Sequence, residues 1–273
     1  MRSARLQNRE SEGPQLKAAQ AQLQIYARDF GKLLQRERDK TSQVEAANRQ
    51  LQIYAHDLKS SFLSEQRRSA ELEKVHHDSL MRLLRASRFK DNETGSHLRR
   101  VKQMSLLMAI HMEWSEAQAL LLADSSPIHD VGKIGVPDSI LHKPGSLNDE
   151  EWKTMRRHTT FGALLLQGSH SPLLEMARHI ALCHHERWDG TGYPQGLKED
   201  KIPLPARMVA IIDVYDALRI QRPYKPPFSH AKACDVICNG DGRTAPSHFD
   251  PQVLRAFRDL QTKFEVLHAR LYH

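Results

Sequence analysis

The first 75 residues carry apolar side chains at heptad spacing, which predicts one long helix. The segment QLQIYARDF begins at residue 22 and QLQIYAHDL begins at residue 50, an offset of 28 residues or four heptads. Position a then holds Leu16, Leu23, Phe30, Val44, Leu51, Leu58 and Leu72, and position d holds Ala19, Tyr26, Leu33, Ala47, Tyr54 and Val75. Polar residues interrupt the pattern at Glu37, Lys40, Ser61, Glu65 and Arg68. We predict a parallel coiled coil over residues 16–75, and the alternative is a single amphipathic helix folded onto the rest of the protein.

The remaining residues, 76–273, predict an all-α domain. Amphipathic segments of ordinary helix length follow one another, among them HLRRVKQMSLLMAIHM, NDEEWKTMRRHTTFGALLLQ, LLEMARHIALCHHE and ARMVAIIDVYDALRI. Ser115 and Asn148 stand at the capping position of two of these segments. Loops between them contain most of the prolines and glycines. Residues 1–15, which are polar and lack an apolar stretch, are predicted to be disordered.

Composition narrows the classes of protein that fit. No apolar run approaches the ~18 residues of a membrane span, and the N-terminus lacks the apolar stretch of a signal peptide. Three cysteines cannot pair completely, which favours reduced thiols and a cytoplasmic location. The net charge of +7 favours an anionic partner. We expect a small phosphate ligand rather than nucleic acid, because no finger, basic-zipper or aromatic-platform pattern is present.

Side chains of the types that bind metals recur between residues 93 and 213. They are Glu93, His97, His129, Asp130, His158, His184, His185 and Asp213. Each one alone has an ordinary structural explanation, such as a helix surface contact for the Glu93 and His97 pair at i, i+4. Together they predict a metal centre of imidazole nitrogens and carboxylate oxygens, which suits iron, manganese or zinc rather than calcium. The absence of cysteine from the set argues against a structural zinc site.

Several separated motifs then resemble one known family. His129-Asp130 is the pair that names the HD phosphohydrolase superfamily, and HHERWDGTGYP at 184–194 is similar to the signature of its HD-GYP branch. DNETGSHLRRV, SSPIHDVGKIGVPDSILHKPGSL, HTTFGALLL, DVYDALRIQRPYK and HFDP occur in the family's order between about Asp91 and Phe257. The resemblance implies an HD-type helical bundle with a long helix or coiled coil before it.

The resemblance also implies an activity and a set of site residues. HD-GYP members are metal-dependent phosphodiesterases that hydrolyse cyclic di-GMP to linear pGpG, GMP or both, with two or three iron or manganese ions. All eight residues of the metal set match the family's ligands, with Asp130 bridging the metals. Lys133 resembles the lysine that contacts the scissile phosphate, so Asp130 and Lys133 are the predicted catalytic residues. Tyr193, Arg222 and Lys225 match the substrate-binding positions.

Two features depart from the family. Relatives usually have Thr-Ser after DVYDAL, where this chain has Arg219-Ile220. We expect Arg219 to serve substrate binding beside Arg222, and the alternative is a solvated side chain at a helix end. Residues 1–75 are too short for a receiver or sensory domain, so the expected partners are a second copy of the chain, through the coiled coil, and an upstream sensory or receiver protein. Two other functions stay open: a non-catalytic cyclic di-GMP receptor, and an HD phosphohydrolase for another nucleotide.

Overall fold

A computed structural model describes residues 3–91, 95–221 and 226–271 of the chain. Every regular element in these residues is helical, so the all-α prediction is confirmed. The α-helices are α1 Ser3–Asp91, α2 Gly95–His111, α3 Glu116–Ser125, α4 Asp138–Leu141, α5 Asp149–Arg156, α6 His158–Leu165, α7 Pro172–Cys183, α8 Leu204–Arg219, α9 His230–Asn239 and α10 Pro251–Arg270. Short 3₁₀ turns lie at Ser126–Ile128, Val131–Gly135, Glu199–Lys201 and Pro246–His248.

The chain divides into two compact units, Met1–His77 and Asp78–His273. The first unit is helical from Ser3, within the range 1–15 that was predicted to be disordered. Arg, Leu, Gln and Glu, which are good helix formers, make up 8 of these 15 residues, which also include the poor helix formers Gly13 and Pro14. Apolar side chains of the heptad pattern are exposed along this helix, with Leu23 at 68% and Leu58 at 73% of their accessible surface.

The core of the second unit is built around α8. Met208, Ile211, Ile212 and Tyr215 of this helix are completely buried, and burial of one such side chain contributes roughly 1.5–3 kcal/mol. The Tyr215 ring packs against Phe257 of α10, with ring centroids 5.6 Å apart. The helices α2, α7, α9 and α10 all pack on α8. These contacts fix the position of α8, and therefore of the polar side chains that it carries.

Two predicted helix starts are confirmed, but one predicted helix is divided. Ser115 and Asn148 each form a capping box with the residue three positions on. The segment 148–167, predicted as a single helix, breaks at Arg157 into α5 and α6. His158 Nδ1 lies 2.8 Å from the Met155 carbonyl oxygen, and the Thr159 hydroxyl donates to that of Arg156 at 2.9 Å. Side chains that hydrogen-bond to backbone carbonyls in this way compete with the hydrogen bonds that would continue the helix.

The short helix α9 was not predicted from the periodicity. Ser229 caps its start by accepting a hydrogen bond from the backbone N–H of Lys232 at 3.2 Å. Gly240 ends it at a φ of +94°, in the left-handed region that favours glycine. A helix of ten residues between these signals carries too few turns for a clear apolar stripe.

Two glycines allow α6 to press against the 3₁₀ turn Val131–Gly135. A Cβ on Gly132 would lie 1.9 Å from the His158 carbonyl oxygen and 2.3 Å from the Gly162 backbone nitrogen. No side chain larger than hydrogen fits at such a crossing. The contact brings the first residue of α6, His158, beside the end of the segment that carries His129 and Asp130.

Candidate metal centre

Seven of the eight predicted metal ligands lie in two adjoining groups. Asp130, His158, His184 and His185 form one group, and His97, His129 and Asp213 form the other. Within each group, one ligand atom per residue lies within 4.8 Å of those of all the others. The two groups meet at the His129-Asp130 pair, where His129 Nε2 lies 3.3 Å from Asp130 Oδ2. The eighth predicted ligand, Glu93, lies outside the described residues.

The seven described candidate ligands come from five segments of the helical core, one of which is the start of α6 with His158. His97 lies in the first turn of α2, and Asp213 lies in the middle of α8. His129 and Asp130 lie between two 3₁₀ turns. His184 and His185 follow the last residue of α7, Cys183. The fold therefore brings together residues that lie far apart in the sequence.

Backbone carbonyls fix the orientation of three imidazoles. His129 Nδ1 lies 2.9 Å from the Ser126 carbonyl oxygen, and His184 Nδ1 lies 3.0 Å from that of Ile180. His158 Nδ1 has the contact with Met155 already described. A carbonyl can only accept, so each Nδ1 carries the proton and each Nε2 presents a lone pair.

These lone pairs face carboxylate oxygens, which makes the group suited to a cation. Asp130 Oδ1 lies 3.2 Å from His158 Nε2 and 3.5 Å from His184 Nε2. All three atoms are buried, and within the described part of the chain none of them has a hydrogen-bond partner. Buried acceptors directed at one another repel unless a positive charge lies between them. A divalent metal ion supplies that charge, so the residues fit the predicted group.

Burial keeps the ligands in the protonation states that metals bind. Desolvation lowers the pKa of His158 to about 4, and it also holds the pKa of His185 well below its usual value. For Asp130, burial acts to raise the pKa, but Lys133 and then His129 lower it more, so the carboxyl ionises well below its usual range. The imidazoles of His158 and His185 are therefore neutral and the Asp130 carboxylate is charged at neutral pH, so a metal ion need not displace protons from these three side chains.

Lys133 lies at the edge of this group. Its Nζ donates to Asp130 Oδ2 at 2.8 Å, with 18% of the side chain exposed. A cation that is bound on one side and open to solvent on the other is suited to contact an anionic substrate. The predicted phosphate contact of Lys133 stays a prediction.

The loop that carries Gly192-Tyr193-Pro194 is fixed against the ligands. Buried Glu186 accepts hydrogen bonds from the backbone N–H groups of Gln195 at 2.7 Å and Leu197 at 3.0 Å. A Cβ on Gly192 would lie 2.3 Å from the backbone nitrogen of Arg187, so the loop passes too close for any other residue. These contacts explain why the signature needs its glutamate and its second glycine.

Tyr193 lies beside His185 and opens onto a cleft of about 310 Å³. The two rings have centroids 4.8 Å apart and an interplanar angle of 32°. Burial raises the pKa of Tyr193, so its hydroxyl remains a donor. The Arg156 guanidinium lies 5.1 Å from the centre of the Tyr193 ring, and exposed Trp152 lines the same cleft. This edge of the site therefore offers the cation of Arg156 beside the aromatic rings of Tyr193 and Trp152.

The other predicted substrate contacts are not described. Arg222 and Lys225 lie outside the described residues. Arg219 is the last residue of α8, and its Nη1 donates to the Phe228 carbonyl oxygen at 3.0 Å. This contact joins the end of α8 to the residues before α9. The expectation that Arg219 serves substrate binding stays a prediction.

Sequence reasoning missed residues that the structure brings to the site. Trp152 and Arg156 belong to α5, which provides no predicted ligand, and both line the cleft beside His185. Asp216 accepts a hydrogen bond at 2.6 Å from Nδ1 of the predicted ligand His97. Its position three residues after Asp213 was the available signal, since that spacing lies on one helix face.

Comparisons with known proteins show the family to which the sequence is similar. The sequence profile of the HD domain family matches residues 79–253. A cyclic di-GMP phosphodiesterase of Vibrio cholerae serotype O1 is 43% identical over 212 residues, which cover 73% of this chain and 42% of that protein. A 3'3'-cGAMP-specific phosphodiesterase of the same organism is 36% identical, with 74% of this chain and 38% of that protein covered. The chain thus spans less than half the length of these relatives.

A solved structure shows the same fold. The crystal structure of a cyclic GMP-AMP specific phosphodiesterase of V. cholerae aligns with a TM-score of 0.50 and 17% identity, over 70% of this chain and 49% of that one. At this identity the likeness concerns the fold alone. In the part of the chain that the structure describes, no helix has both the length and the apolar character needed to cross a membrane.

Proposed function

The chain belongs to the HD domain family, and on that premise we propose that it is a metal-dependent phosphodiesterase that hydrolyses cyclic di-GMP. The observation that carries the proposal is the group formed by Asp130, His158, His184 and His185, in which buried acceptor atoms face one another. Cyclic di-GMP is the substrate of the relative that is 43% identical. The positive net charge suits a ligand with two phosphates.

We propose two or three ions of iron or manganese, held by the eight predicted ligands, with Asp130 as the bridge. The carboxylate of Asp130 faces both groups: Oδ1 is near His158 and His184, while Oδ2 is near His129. A mixture of imidazole and carboxylate, without thiolate, suits both metals. Glu93 remains the predicted eighth ligand.

When bound, such ions lower the pKa of a coordinated water and stabilise charge on the attacking and leaving oxygens of a phosphodiester. The protein contributes orientation, because backbone carbonyls hold three imidazoles in place before the substrate arrives. Lys133 neutralises a phosphate oxygen from the open side of Asp130. The Tyr193 hydroxyl, which burial keeps protonated, donates a hydrogen bond to the substrate at the rim.

Substrate binding requires groups for two guanines and two phosphates. We propose that Arg156 and the rings of Trp152 and Tyr193 contact one part of the dinucleotide, from the cleft beside His185. Arginine suits this position because its planar group both stacks on rings and pairs with phosphate. By resemblance, Arg222 and Lys225 contact another part.

A second candidate substrate is 3'3'-cGAMP, and relatives that are specific for it favour this candidate. One guanine is then replaced by adenine, so the two substrates differ only at base edges. A third alternative is a receptor that binds cyclic di-GMP without hydrolysing it. A receptor has no use for a complete set of ligands, and we propose the enzyme for that reason.

The test is to purify the chain without oxygen and to measure metal content and hydrolysis on one sample. We expect bound iron or manganese, conversion of cyclic di-GMP to pGpG, GMP or both, loss of turnover on chelation and recovery when metal is restored. Asp130→Ala should lower turnover by orders of magnitude, because the ions lose their shared carboxylate. Asp259→Ala, an exposed aspartate of α10, is the control and should remain active. Normal turnover by the Asp130 variant, or faster hydrolysis of 3'3'-cGAMP, would overturn the assignment.

We also propose that residues 16–75 form a coiled-coil linker and residues 76–273 the phosphohydrolase domain. A lone helix with exposed leucines along one seam is unstable in water, and a second copy of the same seam covers them. An upstream sensory or receiver protein would act through this linker. The three free cysteines fit a reducing cytoplasm.

A further inference from the structure

A buried ionic group lies directly behind one of the predicted metal ligands. Asp216 of α8 is completely buried, and Arg100 of α2 is 1% exposed. Arg100 binds Asp216 through two atoms: Nε donates to Oδ1 at 2.6 Å, and Nη2 donates to Oδ2 at 2.9 Å. This forked geometry fixes the carboxylate in one plane.

The same carboxylate fixes the imidazole of His97. Nδ1 of His97 lies 2.6 Å from Asp216 Oδ2, so the proton of the imidazole is held on Nδ1. Nε2 is then the ligand atom, and it belongs to the group with His129 and Asp213. Asp213 and Asp216 lie one turn apart on α8. One supplies a predicted ligand and the other orients a predicted ligand.

The C-terminal helix completes this arrangement. Arg100 Nη1 donates to the Leu271 carbonyl oxygen at 3.2 Å, just after the end of α10. His268 of α10 is also buried, with Nε2 3.9 Å from Asp216 Oδ1. Three helices, α2, α8 and α10, therefore meet at Asp216, and none of the residues from α10 belongs to the predicted site.

We propose that Asp216 is a positioning residue that, with Arg100, holds His97 in the orientation and tautomer needed to bind metal. This inference rests on the proposed function, in which His97 is a ligand. A carboxylate that accepts the second N–H of a ligating imidazole fixes its ring and raises its basicity. Loss of such a partner lowers metal affinity by about 10–100-fold. A purely structural ion pair would instead change stability and leave metal affinity unchanged.

The test measures metal affinity without using activity. The full chain is reconstituted with Mn²⁺, and affinity is determined by competition with a chelator for wild type, Asp216→Asn and Ser105→Ala. Ser105 lies on α2 and is completely buried, so it controls for a change in this region of the core. Circular dichroism checks that each variant is folded. We expect Asp216→Asn to lose affinity for at least one Mn²⁺ by about tenfold or more, and Ser105→Ala to keep it.

A double-substitution cycle shows whether Asp216 acts through His97. His97→Ala should lower affinity by itself, and adding Asp216→Asn should then change it by less than about twofold. An equal additional loss in the His97→Ala background would overturn the proposal, and so would wild-type affinity in Asp216→Asn. If Asp216→Asn does not fold, the Mn²⁺ affinity of Arg100→Lys tests the proposal instead, because lysine keeps the positive charge but cannot form both hydrogen bonds to Asp216. Its unchanged Mn²⁺ affinity would likewise overturn the proposal. A wild-type chain that binds no metal would overturn the proposed function itself.

Discussion

At the scale of the residue, the site depends on which ring nitrogen of each histidine is already hydrogen-bonded within the fold. Three imidazoles use Nδ1 on backbone carbonyls, and His97 uses Nδ1 on a carboxylate. Because Nδ1 is hydrogen-bonded, the ring cannot rotate freely, and the lone pair of Nε2 points in one fixed direction. The arrangement is therefore organised by hydrogen bonds that belong to the fold and persist whether or not substrate is present.

Arg156 is expected to bind substrate without taking part in the chemistry. Arg156→Gln should raise KM about tenfold, because a hydrogen bond to a charged phosphate contributes ~1.5–3 kcal/mol, and kcat should change little. Arg157→Gln is the matched control, since the neighbouring guanidinium lies over Phe161 at 4.7 Å, away from the cleft lining. Steady-state kinetics at low salt provide the measurement, and an equal KM in both variants would remove Arg156 from the substrate site.

His268 should make the fold sensitive to acid. Burial lowers its pKa to about 4, although Asp216 raises it in part. In the unfolded chain the imidazole titrates near 6.5, so the stability that it contributes is complete above pH 6.5 and is lost as the pH falls toward 4. The loss reaches at most about 3 kcal/mol. Urea unfolding at pH 7.5 and pH 5 should show a smaller difference for His268→Gln than for wild type; identical differences would contradict this origin.

The sequence predicts the residue types of the candidate site, but it does not predict the tertiary contacts of its neighbours. The grouping of the seven described candidate ligands could be predicted, because the motifs contain the residue types of one metal centre in a known order, and the fold brings these residues together. The contacts of Asp216 and Arg219 could not be predicted in this way. Spacing gives a helix face, but the partner on that face belongs to α2 for Asp216 and to the residues before α9 for Arg219. Such contacts depend on tertiary packing, which periodicity does not report.

At the scale of the element, the site depends on how closely α6 approaches the turn Val131–Gly135. Hydrogen bonds from His158 and Thr159 end α5 and start α6 in a new direction. The Gly132 and Gly162 contact then sets the distance between His158 and Asp130. An uninterrupted helix over 148–167, as predicted from the sequence, would not turn His158 in this way.

Gly132→Ala should therefore displace α6. The new Cβ would overlap the backbone of His158 and Gly162, which cannot move as a flexible side chain would. We expect a loss of about 1–3 kcal/mol in the free energy of unfolding and weaker metal binding at the Asp130 group. Gly31→Ala is the control: it has open space around it within α1, and the change should raise helix propensity slightly. Thermal unfolding and metal titration measure both effects, and wild-type values for Gly132→Ala would contradict this account.

At the scale of the whole molecule, the proposed assembly depends on the exposed seam of α1. Positions a and d of the repeat are more than half exposed at Leu23, Tyr26, Leu51 and Tyr54. Ile25 and Ile53 are similarly exposed but lie at position c of the same heptads. Both sets are apolar, but they occupy different heptad positions. Substitutions in the two sets therefore distinguish a coiled coil from nonspecific association.

Leu23→Glu with Leu51→Glu should convert a dimer to a monomer, because a charge at position a is buried in the seam. Ile25→Glu with Ile53→Glu should remain dimeric, since position c faces solvent. Deletion of residues 1–75 should also give a monomer, with metal content unchanged. Sedimentation at micromolar concentration measures all four proteins. A monomeric wild type, or equal behaviour of the two double variants, would contradict the coiled coil.

The facing acceptors around Asp130 have a consequence for the lifetime of the protein. Repulsion among buried lone pairs opposes folding until a cation relieves it, so each bound ion shifts the population from unfolded to folded chains. Proteases degrade the unfolded fraction first. Under the proposed function, a cell short of the bound metal would consequently contain fewer copies of this protein, and the level of its cyclic dinucleotide substrate would follow metal supply through turnover of the chain as well as through catalysis.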